Sequence, residues 1–176
     1  DKSNAQLKII GNIPYNITSP IIFRLIENRD IIKDSVMMIQ HEVATRLSAG
    51  PGNRDYGILS VILGYFAEIE YCFKVSPEVF YPKPKVDSAV IKISFRDQSQ
   101  LRPVNEKLFF QTVKASFGNR RKTLKNSLMN SIFGNRDFSN FPVDLNLRAE
   151  RLSIDDYLNI TDYFDSNSGN NERENA

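Results

Sequence analysis

The alternation of apolar and polar residues predicts repeated strand and helix units in the first part of the chain. In order, these are a strand at residues 7–12, a helix that begins near residue 18, a strand at residues 36–40 and a helix at residues 42–49. Thr18 or Ser19 is placed to cap the first helix, and Pro20 suits its first turn. Strand, helix, strand, helix is the order typical of an α/β layer with a parallel sheet.

The pattern changes after residue 49. It predicts, in order, a loop at residues 49–54, an apolar helix at 56–66, strands at 67–75 and 88–95 separated by a proline-rich irregular segment at 77–85, and helices at 105–117, 120–132 and 153–164. We expect the two strands to form an antiparallel pair that closes one edge of the sheet. The sequence therefore predicts an α/β domain over residues 1–98, an all-helical domain over residues 99–164 and a disordered tail over residues 165–176.

The composition is ordinary for a globular protein. The 176 residues are 41% apolar and 25% charged, which excludes a disordered or collagen-like chain. Cys72 is the only cysteine, which excludes an internal disulfide, and we expect this side chain to be buried in its strand in a protein of the reducing cytoplasm. The longest charge-free apolar run, residues 56–67, is too short to cross a bilayer, and no cleavable signal opens the chain.

The formal net charge of +2 conceals an uneven distribution. Residues 1–100 hold 12 basic and 11 acidic residues, residues 101–136 hold 8 and 1, and residues 137–176 hold 3 and 9. The middle segment thus carries a net charge of +7, between segments of +1 and −6. A charge asymmetry of this kind indicates a polyanionic partner.

Asn12-Ile13-Pro14-Tyr15 follows the first strand at the carboxyl edge of the predicted sheet, where ligands bind in open α/β folds. The Asn12 side chain and the Ile13 carbonyl supply two acceptors for an exocyclic amine, Pro14 stiffens the turn, and Tyr15 offers a flat face to a base. Accepting both amine hydrogens draws the nitrogen lone pair out of conjugation with the ring, so the nitrogen becomes a better nucleophile. Taken alone, these four residues are more typical of a simple turn after a strand.

Six motifs follow one another along most of the chain. They are Asn12–Thr18, Gln40–Leu47, Tyr56–Val61, Phe80–Ser88, Phe117–Leu124 and Arg148–Ser153. Together they resemble the ribosomal RNA adenine N6,N6-dimethyltransferase family, in which the first motif reads Asn-Leu/Ile-Pro-Tyr-Asn-Ile-Ser/Thr. The last two motifs resemble the KsgA type, which modifies small-subunit RNA, more than the erythromycin-resistance type, which modifies large-subunit RNA.

This resemblance implies the C-terminal part of a Rossmann-like S-adenosylmethionine-dependent methyltransferase sheet, followed by a small all-helical domain. It implies that Asn12 and the carbonyl of Ile13 hold the adenine N6, with Pro14 shaping the turn, and that Asn12 also lies beside the methyl donor. Tyr15 would stack on one face of the base and Phe80 on the other. Without the resemblance, core packing beside the prolines is the simpler interpretation of Phe80.

No dedicated base is expected, because the attacking nitrogen becomes acidic only after methylation and its proton can pass to water. We interpret Glu42 as a carboxylate at a helix start and Asp87 as a turn or cap residue. His41, the only histidine, stands where the family more often has Lys or Arg, so we assign it no catalytic role and expect no metal site.

The basic segment offers candidates for RNA binding. A helix at 120–132 would place Lys125 one turn beyond Arg121 and form a ridge for phosphates. The expected RNA-binding residues are Lys83, Lys85, Lys114, Arg120, Arg121, Lys122 and Lys125. A run of charged residues is often only the solvent-exposed face of a helix. Solubility of such a face does not require an excess of one sign, whereas residues 101–136 hold 8 basic residues and 1 acidic residue.

The sequence contains no Gly-x-Gly-x-x-Gly turn, which a nucleotide-type cofactor usually needs. The family places that turn upstream of the Asn-Ile-Pro-Tyr strand, so we interpret the chain as a fragment that is inactive alone and lacks most of the cofactor site. The complete protein, expected to be a monomer, would dimethylate two adjacent adenosines in a hairpin of 16S RNA within a pre-30S particle. The alternatives are a non-catalytic RNA-binding or ribosome-assembly module and the large-subunit methyltransferase.

Overall fold

The computed structural model describes residues 6–167 and contains one mixed sheet and six α-helices within that range. The elements, in chain order, are β1 (Leu7–Asn12), α1 (Thr18–Glu27), β2 (Ile32–Gln40), α2 (His41–Leu47), α3 (Ile58–Phe66), β3 (Ala67–Val75), β4 (Ser88–Phe95), α4 (Glu106–Ser116), α5 (Leu124–Met129) and α6 (Ile154–Ser166). Within this part of the chain, no helix has the length and apolar character that a membrane span requires.

The sheet has the strand order β1-β2-β4-β3. β1 and β2 are parallel, and β4 is antiparallel to both of its neighbours. These pairings confirm the predicted α/β layer and the antiparallel pair at one edge. β2 begins four residues earlier than predicted, because Leu7 pairs with Ile32 and Lys8 pairs with Asp34, with a register shift between the two pairs.

The predicted cap of α1 is wrong. A turn of 3-10 helix at Tyr15–Ile17 runs directly into α1, and Ile17 occupies the cap position without a side-chain hydrogen bond to the helix. Thr18 is therefore already helical, and its hydroxyl donates to the carbonyl of Tyr15 at 3.3 Å. The hydroxyl thus stabilises the turn that carries Tyr15.

Cys72 is exposed, which contradicts the prediction that it is buried. β3 is the edge strand, and its register with β4 shifts between Tyr71 and Phe73, so Cys72 has no Cα partner in the ladder. The period-two pattern that predicted burial is interrupted at this irregularity.

The chain divides into two compact units. Within the described range, the first contains residues 6–49 and Leu63–Leu101, and the second contains Gly50–Ile62 and residues 102–167. Residues 50–62, which the sequence assigned to the domain at 1–98, thus belong to the second unit. Residues 165 and 166 of the predicted disordered tail lie in α6, and residues 168–176 are outside the described range.

Rows of alternating side chains form the core of the first unit. Met37 and Ile39 of β2, and Ile91 and Ile93 of β4, are at most 1% exposed. Stacked aromatic rings form much of the second core: Phe133 lies 4.2 Å from Phe164, measured between ring centroids. Offset stacking of this kind adds to the free energy that apolar burial contributes.

α5 is shorter than the predicted helix at 120–132. Thr123 is its cap residue and accepts a hydrogen bond from the backbone N–H of Asn126. The preceding residues form a turn, in which the N–H of Lys122 donates to the carbonyl of Asn119. Arg120, Arg121 and Lys122 therefore lie before the helix, and the predicted helical spacing between Arg121 and Lys125 is wrong.

Tyr56 carries a buried hydroxyl that has no hydrogen-bond partner among residues 6–167. Burial, with a smaller contribution from the charge of Asp156, raises the pKa of Tyr56 to about 12. Burial likewise raises the pKa of Tyr157, whose hydroxyl donates to the carbonyl of Ala149. In the unfolded chain both tyrosines ionise near pH 10. The stability that protonated Tyr56 contributes is therefore present below about pH 10 and is lost as the pH rises toward 12, and the contribution of Tyr157 also begins to be lost above about pH 10.

We expect Tyr56→Phe to leave the free energy of unfolding at neutral pH unchanged or raise it by up to about 1 kcal/mol, because an unpaired buried hydroxyl is removed. The fall of stability above about pH 10 should become shallower. Urea unfolding across this pH range measures both effects. The control is Tyr81→Phe, which removes a hydroxyl from a fully exposed side chain and should change neither. A loss of stability at neutral pH in Tyr56→Phe would contradict the prediction.

Candidate functional site

A cavity of about 270 Å³ lies at the carboxyl end of β1. Its lining consists of Asn12, Ile13, Pro14, Tyr15, Phe80, Pro82, Pro84 and Ser88. The structure therefore brings together all five residues that the sequence analysis assigned to catalysis. Apolar and aromatic side chains form most of the wall, and the polar groups are an amide and a hydroxyl.

Three hydrogen bonds besides that of Thr18 fix the turn that carries Tyr15. The N–H of Ile13 donates to the carbonyl of Met38 at 3.0 Å, and the N–H of Ile17 donates to the carbonyl of Pro14 at 3.1 Å. The hydroxyls of Tyr15 and Ser88 share a hydrogen bond of 2.7 Å. Ser88 is only 1% exposed, so it anchors the Tyr15 ring from inside the sheet.

Two acceptors remain at the turn. Among residues 6–167, the side-chain amide of Asn12 and the carbonyl of Ile13 accept no hydrogen bond from another residue. Asn12 is exposed and Ile13 is half-buried. The pair can therefore accept two hydrogen bonds from one planar amine held in the cavity.

Phe80 comes from the segment between β3 and β4. Its N–H donates to the carbonyl of Pro77 at 3.2 Å, which closes a short 3-10 turn at Pro77–Val79. This turn is the one piece of regular structure in a segment that was predicted to have none. The ring of Phe80 is half-buried and lines the same cavity as Tyr15.

The two acidic residues inside the matched motifs, Glu42 and Asp87, are engaged in ion pairs. Glu42, in the first turn of α2, pairs with Arg46 at 2.5 Å, as expected for a carboxylate at a helix start. Asp87 pairs with Lys74 at 2.8 Å, and the hydrogen bond raises the pKa of Lys74. No group of three or more His, Cys, Asp or Glu side chains within the described range is arranged to hold a metal ion.

The two lysines near the cavity differ in their surroundings. Lys83 forms an ion pair with Glu78, so its charge is partly neutralised. Lys85 lines a separate cavity of about 320 Å³ with Gln40, His41, Asp87 and others. The carboxylates of Glu42 and Asp87 line the same cavity as Lys85.

The predicted RNA-binding residues of the second unit are exposed, but they do not share one helix. Lys114 lies on α4, Arg121 and Lys122 lie in the turn before α5, and Lys125 lies on α5. Arg120 has a structural role that the sequence did not indicate. Its guanidinium donates to the carbonyl of Tyr56 at 2.8 Å and to that of Arg54 at 3.5 Å.

Two functional features were missed by sequence reasoning. Ser88 ends the motif at 80–88, and this was the only signal for its contact with Tyr15. The contact between Arg120 and residues 54–56 joins positions 64 and 66 residues apart in the chain, so no local pattern could reveal it.

A model of the family described as "Ribosomal RNA adenine dimethylase" matches residues 1–166 of the chain. The chain belongs to the ribosomal RNA adenine dimethylase family. This membership confirms the resemblance carried by the six motifs, and the mixed sheet with its helices is part of the Rossmann-like methyltransferase fold of that family. The methyl donor of the family is S-adenosylmethionine.

Curated members of the dimethylase family are close in sequence. The "Ribosomal RNA small subunit methyltransferase A" of Francisella tularensis subsp. novicida (strain U112) is 46% identical over 165 residues, which cover 93% of this chain and 62% of that protein. The protein of the same name from subsp. tularensis (strain SCHU S4 / Schu 4) is 45% identical over the same length. The chain thus spans less than two thirds of the length of these relatives.

Solved structures with this dimethylase fold are also similar. A dimethyladenosine transferase from Plasmodium falciparum has a TM-score of 0.78 and 27% identity, covering 92% of this chain and 67% of that one. The 23S rRNA methyltransferase ErmE has a TM-score of 0.65 and 22% identity, covering 94% and 68%. At its lower identity, the second supports the fold alone.

Proposed function

We propose that the complete protein is a cytoplasmic, S-adenosylmethionine-dependent methyltransferase that dimethylates the N6 of adenines in small-subunit ribosomal RNA. The observation that carries the proposal is the cavity at the end of β1, which combines two unused acceptors with two aromatic rings. The 46% identity to relatives named small subunit methyltransferase A supports the small-subunit target.

In this reaction the target adenine enters the cavity out of its stack. Tyr15 and Phe80 hold the base by stacking, a contact that contributes about 1–3 kcal/mol per base. The Asn12 amide oxygen and the Ile13 carbonyl accept the two N6 hydrogens, which directs the nitrogen lone pair away from the ring. S-adenosylmethionine supplies the electrophilic methyl group. As N6 bonds to that methyl carbon, the bond between the carbon and sulfur would break, and its electron pair would stay on the sulfur of the departing S-adenosylhomocysteine. The resulting N6 cation would lose one proton to water, so the ion-paired carboxylates need take no part.

The residues present fit only one end of the methyl donor. Asn12 lies where the amine is held, and we propose that its side chain also borders the methyl group. The lining of the cavity contains no carboxylate for a ribose and no glycine-rich turn, and its volume of about 270 Å³ suits a base better than a base and a whole cofactor. We therefore propose that most of the cofactor site of the complete protein lies outside this chain.

The finer assignment is a pair of adjacent adenosines in a 16S RNA hairpin, modified on a pre-30S particle by a monomeric enzyme. The test is a methylation assay of the full-length protein with labelled S-adenosylmethionine and a hairpin that carries two adjacent adenosines. Digestion should yield N6,N6-dimethyladenosine from both positions. RNA that is bound but never methylated would favour the non-catalytic assembly module, and methylation of large-subunit RNA alone would favour the large-subunit type.

A prediction follows for the 176-residue chain by itself. We expect it to transfer no methyl group and to bind S-adenosylmethionine weakly or not at all, because the carboxylate and glycine-rich turn that such cofactors need are missing from the site. Isothermal titration of the chain with the cofactor, beside the full-length protein as the positive control, measures this. If the 176-residue chain and the full-length protein bind S-adenosylmethionine with equal affinity, the proposal that most of the cofactor site lies outside this chain is refuted.

A further inference from the structure

The second unit contains a polar cavity of about 470 Å³, and Lys122 is the one residue of its lining that has a predicted role. We name it the amide cleft. Its walls come from the end of α4, the turn that follows it, and α5; the lining residues used below are Gly118, Asn119, Lys122, Asn126, Ser127 and Asn130. A volume of this size falls in the range of about 300–1,000 Å³ that is typical of small-molecule sites.

Side-chain amides dominate the amide cleft, and several of their hydrogen-bonding groups are unused. Within residues 6–167, the Asn126 amide and the Lys122 ammonium have no hydrogen-bond or ion-pair partner. Asn130 donates to the Asn126 carbonyl at 2.7 Å, which leaves its own side-chain oxygen as an acceptor. Asn119 accepts from the N–H of Arg121 through its side-chain oxygen, which leaves its amide hydrogens as donors. The cleft thus offers neutral donors and acceptors together with one cation.

Gly118 leaves one wall of the amide cleft open. A Cβ atom placed there would meet no atom within 4 Å, and the backbone does not adopt the left-handed region that favours glycine. Neither packing nor backbone conformation within the unit therefore requires glycine at this position. The lack of a side chain keeps room for a ligand.

We propose that the amide cleft binds one nucleotide of the RNA, with the asparagine amides pairing to the base edge and Lys122 contacting a phosphate. This inference rests on the proposed function, since it takes RNA as the partner. A side-chain amide presents a donor and an acceptor side by side, which is the pattern that a base edge complements. The lining contains no carboxylate, which suits an anionic ligand, and no aromatic ring. Recognition here therefore depends on hydrogen bonds, unlike the stacking at the cavity of Tyr15 and Phe80.

The test compares two probes with the full-length protein: a fluorescent single-stranded RNA of mixed sequence, and an abasic sugar-phosphate strand of the same length and charge. Gly118→Val fills the cleft, and Asn126→Ala removes an amide while favouring the helix. Each should weaken binding of the base-bearing strand by about fivefold or more, as expected for loss of one good base contact, and leave binding of the abasic strand unchanged. Asn135→Ala, which removes an exposed amide of the same unit outside the cleft, should change neither.

The outcomes separate the two proposals. If Asn126→Ala keeps its thermal midpoint and binds both strands like the unmodified protein, the amide cleft does not read a base. An equal loss on both strands would also overturn base recognition, because it would reflect phosphate contacts alone. If the unmodified protein binds neither strand but methylates the small-subunit hairpin, the cleft inference fails and the proposed function stands. If it also leaves the hairpin unmethylated, both fail. Should Gly118→Val not fold, Asn126→Ala decides.

Discussion

Tyr15→Ala, introduced into the full-length protein, is expected to lower the rate of adenine methylation by about 10- to 100-fold. One of the two stacking contacts of the base, worth about 1–3 kcal/mol, is lost. The affinity for small-subunit RNA should stay nearly constant, since the cationic residues of the second unit are untouched. Single-turnover methylation and filter binding, measured on the same preparation, separate the two quantities.

The control for this variant is Tyr15→Phe. It keeps the ring but removes the 2.7 Å hydrogen bond to Ser88, so the expected loss is only about fivefold, the equivalent of one hydrogen bond of about 1 kcal/mol. If Ala and Phe reduce methylation equally, the hydroxyl matters and the ring does not. Full methylation activity in Tyr15→Ala would contradict the proposal that the adenine binds in this cavity.

Reversal of two charges in the turn before α5 has the second large expected effect. Arg121→Glu with Lys122→Glu should weaken binding of small-subunit RNA by about 10- to 100-fold near 0.1 M salt. It should also reduce the slope of log affinity against log salt by about 0.7–0.9 per lost phosphate contact. Binding measured at four or more salt concentrations gives both values.

Two further variants serve as controls, one for net charge and one for stability. Lys107→Glu, a charge reversal at an exposed site of α4 outside the proposed set, should change affinity little beyond its effect on net charge. Arg120→Ala should lower the thermal midpoint, because its guanidinium donates to the carbonyls of Arg54 and Tyr56. It should change the slope of log affinity against log salt little. An unchanged slope in the Arg121/Lys122 variant would refute the assignment of phosphate contacts to this turn.

Local patterns predicted most of the sheet, and the family resemblance of the motifs pointed to five of the eight residues that line the cavity. The strand ending at Asn12 and the alternation over β4 are period-two signals, which depend on neighbouring residues alone. The motif containing Phe80 placed that ring with Tyr15, although nothing in the local pattern of residues 77–85 distinguishes it from core packing.

Two of the remaining features depend on contacts between distant residues, and a third depends on a local helix cap. The exposure of Cys72 results from a register shift that only pairing with β4 reveals. The start of α5 is set by the cap at Thr123, whereas the helix-favouring run at 120–122 had suggested an earlier start. Arg120 was grouped with Arg121 because they are adjacent, yet only Arg120 reaches the backbone of residues 54–56.

The direction of β4 determines which parts of the chain can meet at the cavity. Ser88, its first residue, pairs in register with Gln40, the last residue of β2, so chain entering β4 arrives where chain leaves β1. A strand running the other way in the same position would begin at the opposite edge and carry Phe80 there with it. Tyr15 and Ser88 are 73 positions apart in the chain. Their segments meet because β4 runs antiparallel to β2. A base between Tyr15 and Phe80 would contact two segments that are distant in the sequence, so a substitution in either segment could change the affinity for the base without a change in the other.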